Sequence, residues 1–142
     1  WIEANSKNFP IASSVITSSD NNYLYIQERG HDDDGSAMTA FIESGDVEMG
    51  DGERYMLLSK LIPDFTFRGN EDDASMSVIV KGKDFPLEDN VTLSTSTITS
   101  STKQAFLRAR TRSSAFRIES SESGYGWRLG DLRFDIRPDG RR

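Results

Sequence analysis

The sequence predicts an all-β protein, an antiparallel β-sandwich of roughly seven to nine strands. Three observations predict it. Val, Ile, Thr, Phe and Tyr recur in short alternating runs, which suit a pleated surface. Gly and Asp punctuate those runs at short intervals, as between antiparallel strands. Helical periodicity is almost absent. A share in a larger β-rich or propeller-containing protein is the alternative architecture.

The elements follow in order. Residues 1–19 lack clean periodicity and read as an extended arm or linker, leaving 20–142 as a single β domain. Residues 23–26 form a short strand, closed by Arg29-Gly30 and an acidic tip at residues 31–35. A second strand spans 38–43, with a bulge at Gly45 and Asp46. Asp51-Gly52 predicts a hairpin, because both positions tolerate positive φ. The chain returns over 54–62 until Ile62-Pro63, since proline cannot donate to a ladder.

Phe65 and Phe67 share one face of the next strand. A second acidic tip follows at residues 69–73. Met76, Val78 and Val80 form one face of a strand, Ser77, Ile79 and Lys81 the other. Residues 83–90 read as a loop. In residues 91–102, ten of twelve are Ser, Thr or Val, which predicts a strand fraying towards Ser101. Residues 104–110 and 113–120 read as a hairpin around Thr111-Arg112, with Phe106, Arg108 and Arg110 on one face. Residues 127–129 and 132–136 close the set around Gly130-Asp131. Trp127, Phe106, Phe116, Phe134, Phe67 and Val80 are the expected core.

The 142 residues are 35% hydrophobic and 28% charged, so the core is expected to be thin. No cysteine is present, which rules out disulfides and thiolate metal sites. No apolar run approaches the length of a membrane span. The chain opens at Trp1 and is expected to be part of a longer protein. Its net charge is −6, but unevenly placed: residues 103–142 carry +5 and residues 1–102 carry −11. An acidic surface on one copy can therefore meet a basic one on the next. Alternatively, strands from both parts interleave and the asymmetry averages out.

The chemistry-bearing residues point away from catalysis. His31 is the only histidine, and no serine sits in a Gly-x-Ser-x-Gly elbow. Asp32, Asp33 and Asp34, with Asp72 and Asp73, supply oxygen ligands suited to calcium, but without the alternate spacing of an EF-hand loop. They read as acidic loops that blunt sheet edges, and neither a metal nor a cofactor is assigned. Paired acids for glycoside hydrolysis cannot be selected from twenty-three carboxylates. Arg108, Arg110, Arg112, Arg128 and Arg133 are more specific, because they fall in strands or tight turns. Guanidinium groups suit bidentate pairing with carboxylate or phosphate. These arginines therefore mark a subunit interface, a nucleic-acid backbone contact, or cross-strand pairing with Glu119, Asp131 and Asp135.

Several ordered motifs resemble a family. Phe41-Ile42-Glu43-Ser44-Gly45-Asp46-Val47-Glu48 with Gly50-Asp51-Gly52, then Ile62-Pro63-Asp64-Phe65, are similar to virion proteins of short-tailed bacteriophages, of the tail tubular, nozzle or DNA-stabilisation type. Arg108-Ala109-Arg110-Thr111-Arg112, Gly126-Trp127-Arg128-Leu129-Gly130 and the closing run 135–142 agree. The resemblance covers roughly residues 37–142 and departs at Thr111, where Gly is expected. It implies the C-terminal portion of a non-catalytic virion subunit, assembled in the host cytoplasm, that forms a ring with copies of itself. Other tail or portal proteins would be its neighbours, and the DNA channel would lie close by. Acidic loops would suit the lumen. The alternative is a β-sandwich module binding carbohydrate or another surface ligand.

Overall fold

The computed structural model describes residues 2–3, 9–15, 22–70, 72 and 74–140. Among them are thirteen strands and no helix, so the chain is all-β. It divides into two compact units, Trp1–His31 and Asp32–Arg142.

In the first unit, β1 (Ile2–Glu3), β2 (Pro10–Val15) and β3 (Asn22–Ile26) form an antiparallel meander in that order. The arm expected over residues 1–19 thus contains two strands, β1 and β2, and the division falls after His31. The pairing of Ile11 with Ile26 and Ala12 with Tyr25 explains the difference. Backbone ladders form here on a strand whose sequence, Pro-Ile-Ala-Ser-Ser-Val, lacks regular polar and apolar alternation.

The second unit contains ten strands. They are β4 (Ala40–Glu43), β5 (Val47–Glu48), β6 (Met56–Ile62), β7 (Phe65–Gly69), β8 (Ser75–Lys83), β9 (Val91–Thr99), β10 (Ala105–Thr111), β11 (Ser113–Ser120), β12 (Tyr125–Leu129) and β13 (Arg133–Pro138). One sheet runs β4-β11-β8-β9, with β5 also on β11. A second runs β10-β6-β13, and β12 pairs with β7. The pairings are antiparallel.

The bulge expected at Gly45 and Asp46 is present. From Glu43 to Val47 the chain takes four steps against three from Arg117 to Ser114, one extra residue. Ser44 fills the gap: its N–H donates to Phe116 O at 2.9 Å, and its Oγ accepts from Phe116 N at 3.0 Å.

Two expected hairpins are corners instead. Across Asp51-Gly52, β5 joins β11 while β6 joins β10 and β13. Across Thr111-Arg112, β10 joins β6 while β11 joins β4 and β8. The Gly-rich turn still needs its glycines, since Gly50 and Gly52 adopt φ of 68° and 71°. Turn chemistry fixes where the chain reverses; which sheet receives the next strand is decided by burial. At the second corner the buried Thr111 hydroxyl lies 2.9 Å from both Lys83 O and Ser113 O, joining the two sheets where the resemblance leads one to expect glycine. Small size is demanded nearby instead: a Cβ on Gly82 would meet Leu93 Cδ1 and Thr111 Oγ1 at 2.6 Å.

One hydrophobic core draws on all three sheets of this unit. Met56, Leu58 and Leu61 of β6, Met76, Val78 and Val80 of β8, and Phe116 and Ile118 of β11 are among its buried members. Alternation explains the selection: β8 and β10 bury every second residue. Of the expected core, Phe67, Val80 and Phe116 are buried, while Phe134 and Trp127 are half-buried against it. The Trp127 indole donates to Ser120 Oγ at 2.9 Å. Phe106 is not core; it is 74% exposed. Ala105, Leu107 and Ala109 take the inward positions of β10, which turns Phe106 outward with Arg108 and Arg110.

Candidate functional site

The outer face of the β10-β6-β13 sheet gathers the most distinctive surface chemistry. Strand alternation puts Phe106, Arg108 and Arg110 of β10 there. Across the ladder, Phe106 lies opposite Lys60, and Lys60 opposite Asp135. Arg110 lies opposite Leu57, and Leu57 opposite Arg137; at the other end Ile62 faces Arg133. Register shifts occur in the ladders on both sides of the central strand β6, between Phe106 and Ala109 and between Asp135 and Ile136.

The five expected interface arginines separate into two groups. Arg108, Arg128 and Arg133 are exposed and, among the described residues, have no carboxylate within ion-pair reach. Arg108 and Arg133 belong to the outer sheet, whereas Arg128 lies on β12 opposite Thr66. Arg110 is held within the chain: its Nε donates to Asp139 Oδ2 at 2.6 Å, and its guanidinium lies 3.8 Å from the Tyr55 ring centroid. Arg112 is half-buried at the β10–β11 corner, 5.0 Å from Tyr55 and 5.6 Å from Phe85. Cross-strand and cation–π contacts thus engage these two.

Interleaving of the acidic and basic halves is real on the other sheet. Glu43 of β4 accepts from Lys81 at 2.8 Å and from Arg117 at 3.0 Å, and Arg117 also donates to Glu119 at 2.7 Å. Arg117 lies 3.9 Å from the Phe41 ring centroid. Hydrogen bonds from Lys81 and then Arg117 hold the Glu43 carboxyl below its ordinary pKa. Those from Lys83 and Asn90 do the same for Asp46, and those from Ser59 and Arg137 for Asp135. A lowered carboxylate pKa stabilises the fold above the unfolded value and loses that contribution as pH falls through the folded one. Stability should therefore be level from neutral pH down to about 5 and then decline. Urea unfolding of the Glu43→Gln variant should show a shallower acid decline than the wild type. Identical slopes would show that this cluster does not set it.

The acidic loops show turn geometry. Asp33 exchanges two backbone hydrogen bonds with Ser36, both at 2.9 Å, and Asp32 Oδ1 accepts from Gly35 N at 3.1 Å. Asp34 has φ of 52°. Asp72 is exposed, and Asp73 lies outside the described residues. No group of three potential metal ligands occurs among the described residues.

Sequence reasoning missed Phe106 as a surface residue, although the signal was present. A residue sharing a strand face with two arginines cannot point into an apolar core without burying both charges. Tyr55 and Phe41, the partners of the stacked guanidiniums, carried no such signal, because their contacts cross between distant strands. No family model matches the chain, and no curated protein matches its sequence.

Proposed function

We propose that this chain is a β-sandwich domain of a structural virion subunit in the tail of a short-tailed bacteriophage, working by assembly with copies of itself rather than by catalysis. The observation that carries the assembly reading is the outer β10-β6-β13 face. An aromatic ring 74% exposed stands beside Arg108 and near Lys60, and aromatic and arginine side chains are the residues enriched where proteins bind one another. Support for the tail location comes from the ordered motifs in residues 37–142. Tight antiparallel ladders and a shared core suit a load-bearing part.

The location is tested on purified particles of the phage that encodes the chain. Immunogold labelling with an antibody against residues 32–142 should mark the tail vertex. Particles that infect normally yet carry none of this protein, by mass spectrometry, would overturn the reading.

A further inference from the structure

We infer that the outer β10-β6-β13 face docks the acidic end of a second copy of this chain, a head-to-tail contact between two different surfaces. This deepens the assembly reading and rests on it.

The argument starts from β6. Its residues from Met56 to Ile62 span about 20 Å at roughly 3.3 Å per residue. Towards the Ile62 end of the outer face stand Phe106, Lys60 and Arg133, with Arg108 in the β10 bulge that follows Phe106 and Ile62 itself 44% exposed. Beyond the Met56 end, the corner between β5 and β6 carries Glu48, Asp51 and Glu53. These three carboxylates make no ion pair among the described residues. The positive-φ glycines Gly50 and Gly52 bend that corner into a concavity of about 350 Å³, lined by Met49, Gly50, Asp51, Glu53 and Arg54. A cation-bearing, partly apolar surface and a hollow lined by Asp51, Glu53, Met49 and the one cation Arg54, with Glu48 close beside Gly52, thus lie towards opposite ends of one strand.

Charge decides the symmetry. Two such faces placed against each other would bring the Lys60, Arg108 and Arg133 charges of both copies into one interface, and like charges across an interface are costly. Basic face against acidic hollow removes that repulsion. Because the two surfaces differ, the contact is heterologous: it closes into a ring when the rotation permits and otherwise extends as a filament.

Sedimentation velocity over a range of concentrations, at about 50 mM salt, tests this on the 142-residue chain. One variant removes the face (Phe106→Ser, Arg108→Ser, Arg133→Ser), and another neutralises the hollow (Glu48→Gln, Asp51→Asn, Glu53→Gln). All six side chains are exposed, so both variants should keep the wild-type unfolding midpoint. The wild type should associate, with weakening as salt shortens the Debye length to about 3 Å near 1 M. Each variant alone should stay monomeric, and an equimolar mixture should give a two-chain complex and nothing larger. Should a variant lose its fold, the single neutralising changes Arg108→Ser and Asp51→Asn replace it, with the same expectations. If the wild type associates but either variant alone associates equally well, or the mixture stays monomeric, the head-to-tail inference fails and assembly stands. A wild type that is monomeric throughout overturns both.

Discussion

Truncating Phe116 to alanine should lower the free energy of unfolding by about 3–5 kcal/mol. Phe116 sits in β11, hydrogen-bonded between β8 on one side and the β4–β5 edge on the other, and is 7% exposed. Its ring stacks on Phe134 with centroids 4.1 Å apart and planes 26° apart. The change therefore removes buried area and an aromatic pair together. β11 is held on both sides, so the backbone cannot close the resulting space. Phe106→Ala is the control, the same chemical change at a ring 74% exposed; it should alter stability by no more than about 0.5 kcal/mol. Urea melts of the two variants read the difference directly. Equal losses would mean that β10 turns its other face inward.

The pair also shows which parts of this fold are legible in a sequence. Strand positions follow from local chemistry, so β3, β6, β8 and β9 lie close to where alternation and Pro63 put them. The bulge at Ser44, Gly45 and Asp46 was legible too, because glycine and aspartate interrupt an otherwise regular run. Connectivity was not. Asp51-Gly52 and Thr111-Arg112 have the residues of tight reversals, yet each passes the chain to a different sheet. A hairpin and a corner can share turn chemistry; they differ in the partners waiting thirty or more residues away, such as Leu61 for Ala105 and Lys81 for Ala115.

The same limit applies to the candidate surface. Five arginines were identifiable because they lie in strands rather than tails. Their division into engaged and open groups depends on residues remote in sequence. Arg110 meets Asp139 and Tyr55, which are 29 and 55 positions away. Arg108 sits one alternation earlier on β10. Net charge by segment exaggerated the polarity, since Glu43 of the acidic segment pairs with Arg117 of the basic one across the larger sheet. What survives cancellation is the contrast between the two ends of β6.

That strand is the site of the second large expected effect. Leu58→Ala should cost about 2–5 kcal/mol. Leu58 is 0% exposed and lies opposite Ala109 on one side and Ile136 on the other. Ala109 is too short to fill the vacated space. The β6 backbone is fixed from both sides, and Ser59 adds a tie through its hydroxyl to Asp135 Oδ2 at 3.0 Å. The cavity therefore persists, and a persistent cavity puts a Leu→Ala change in the upper part of its range. Leu57→Ala, the same change one residue earlier on the half-buried outer side, carries the same strand-propensity cost without the core cavity. It should lose no more than about 1 kcal/mol. Guanidinium chloride melts with unchanged slopes would assign the whole difference to the native core. Comparable losses would show that β6 is buried on both faces, and the outer surface would then already be covered. Because Lys60 and Ile62 follow Leu58 on the same strand, the Leu58→Ala variant should also bind a second copy more weakly than the wild type at temperatures near its own unfolding transition, and equally well far below it.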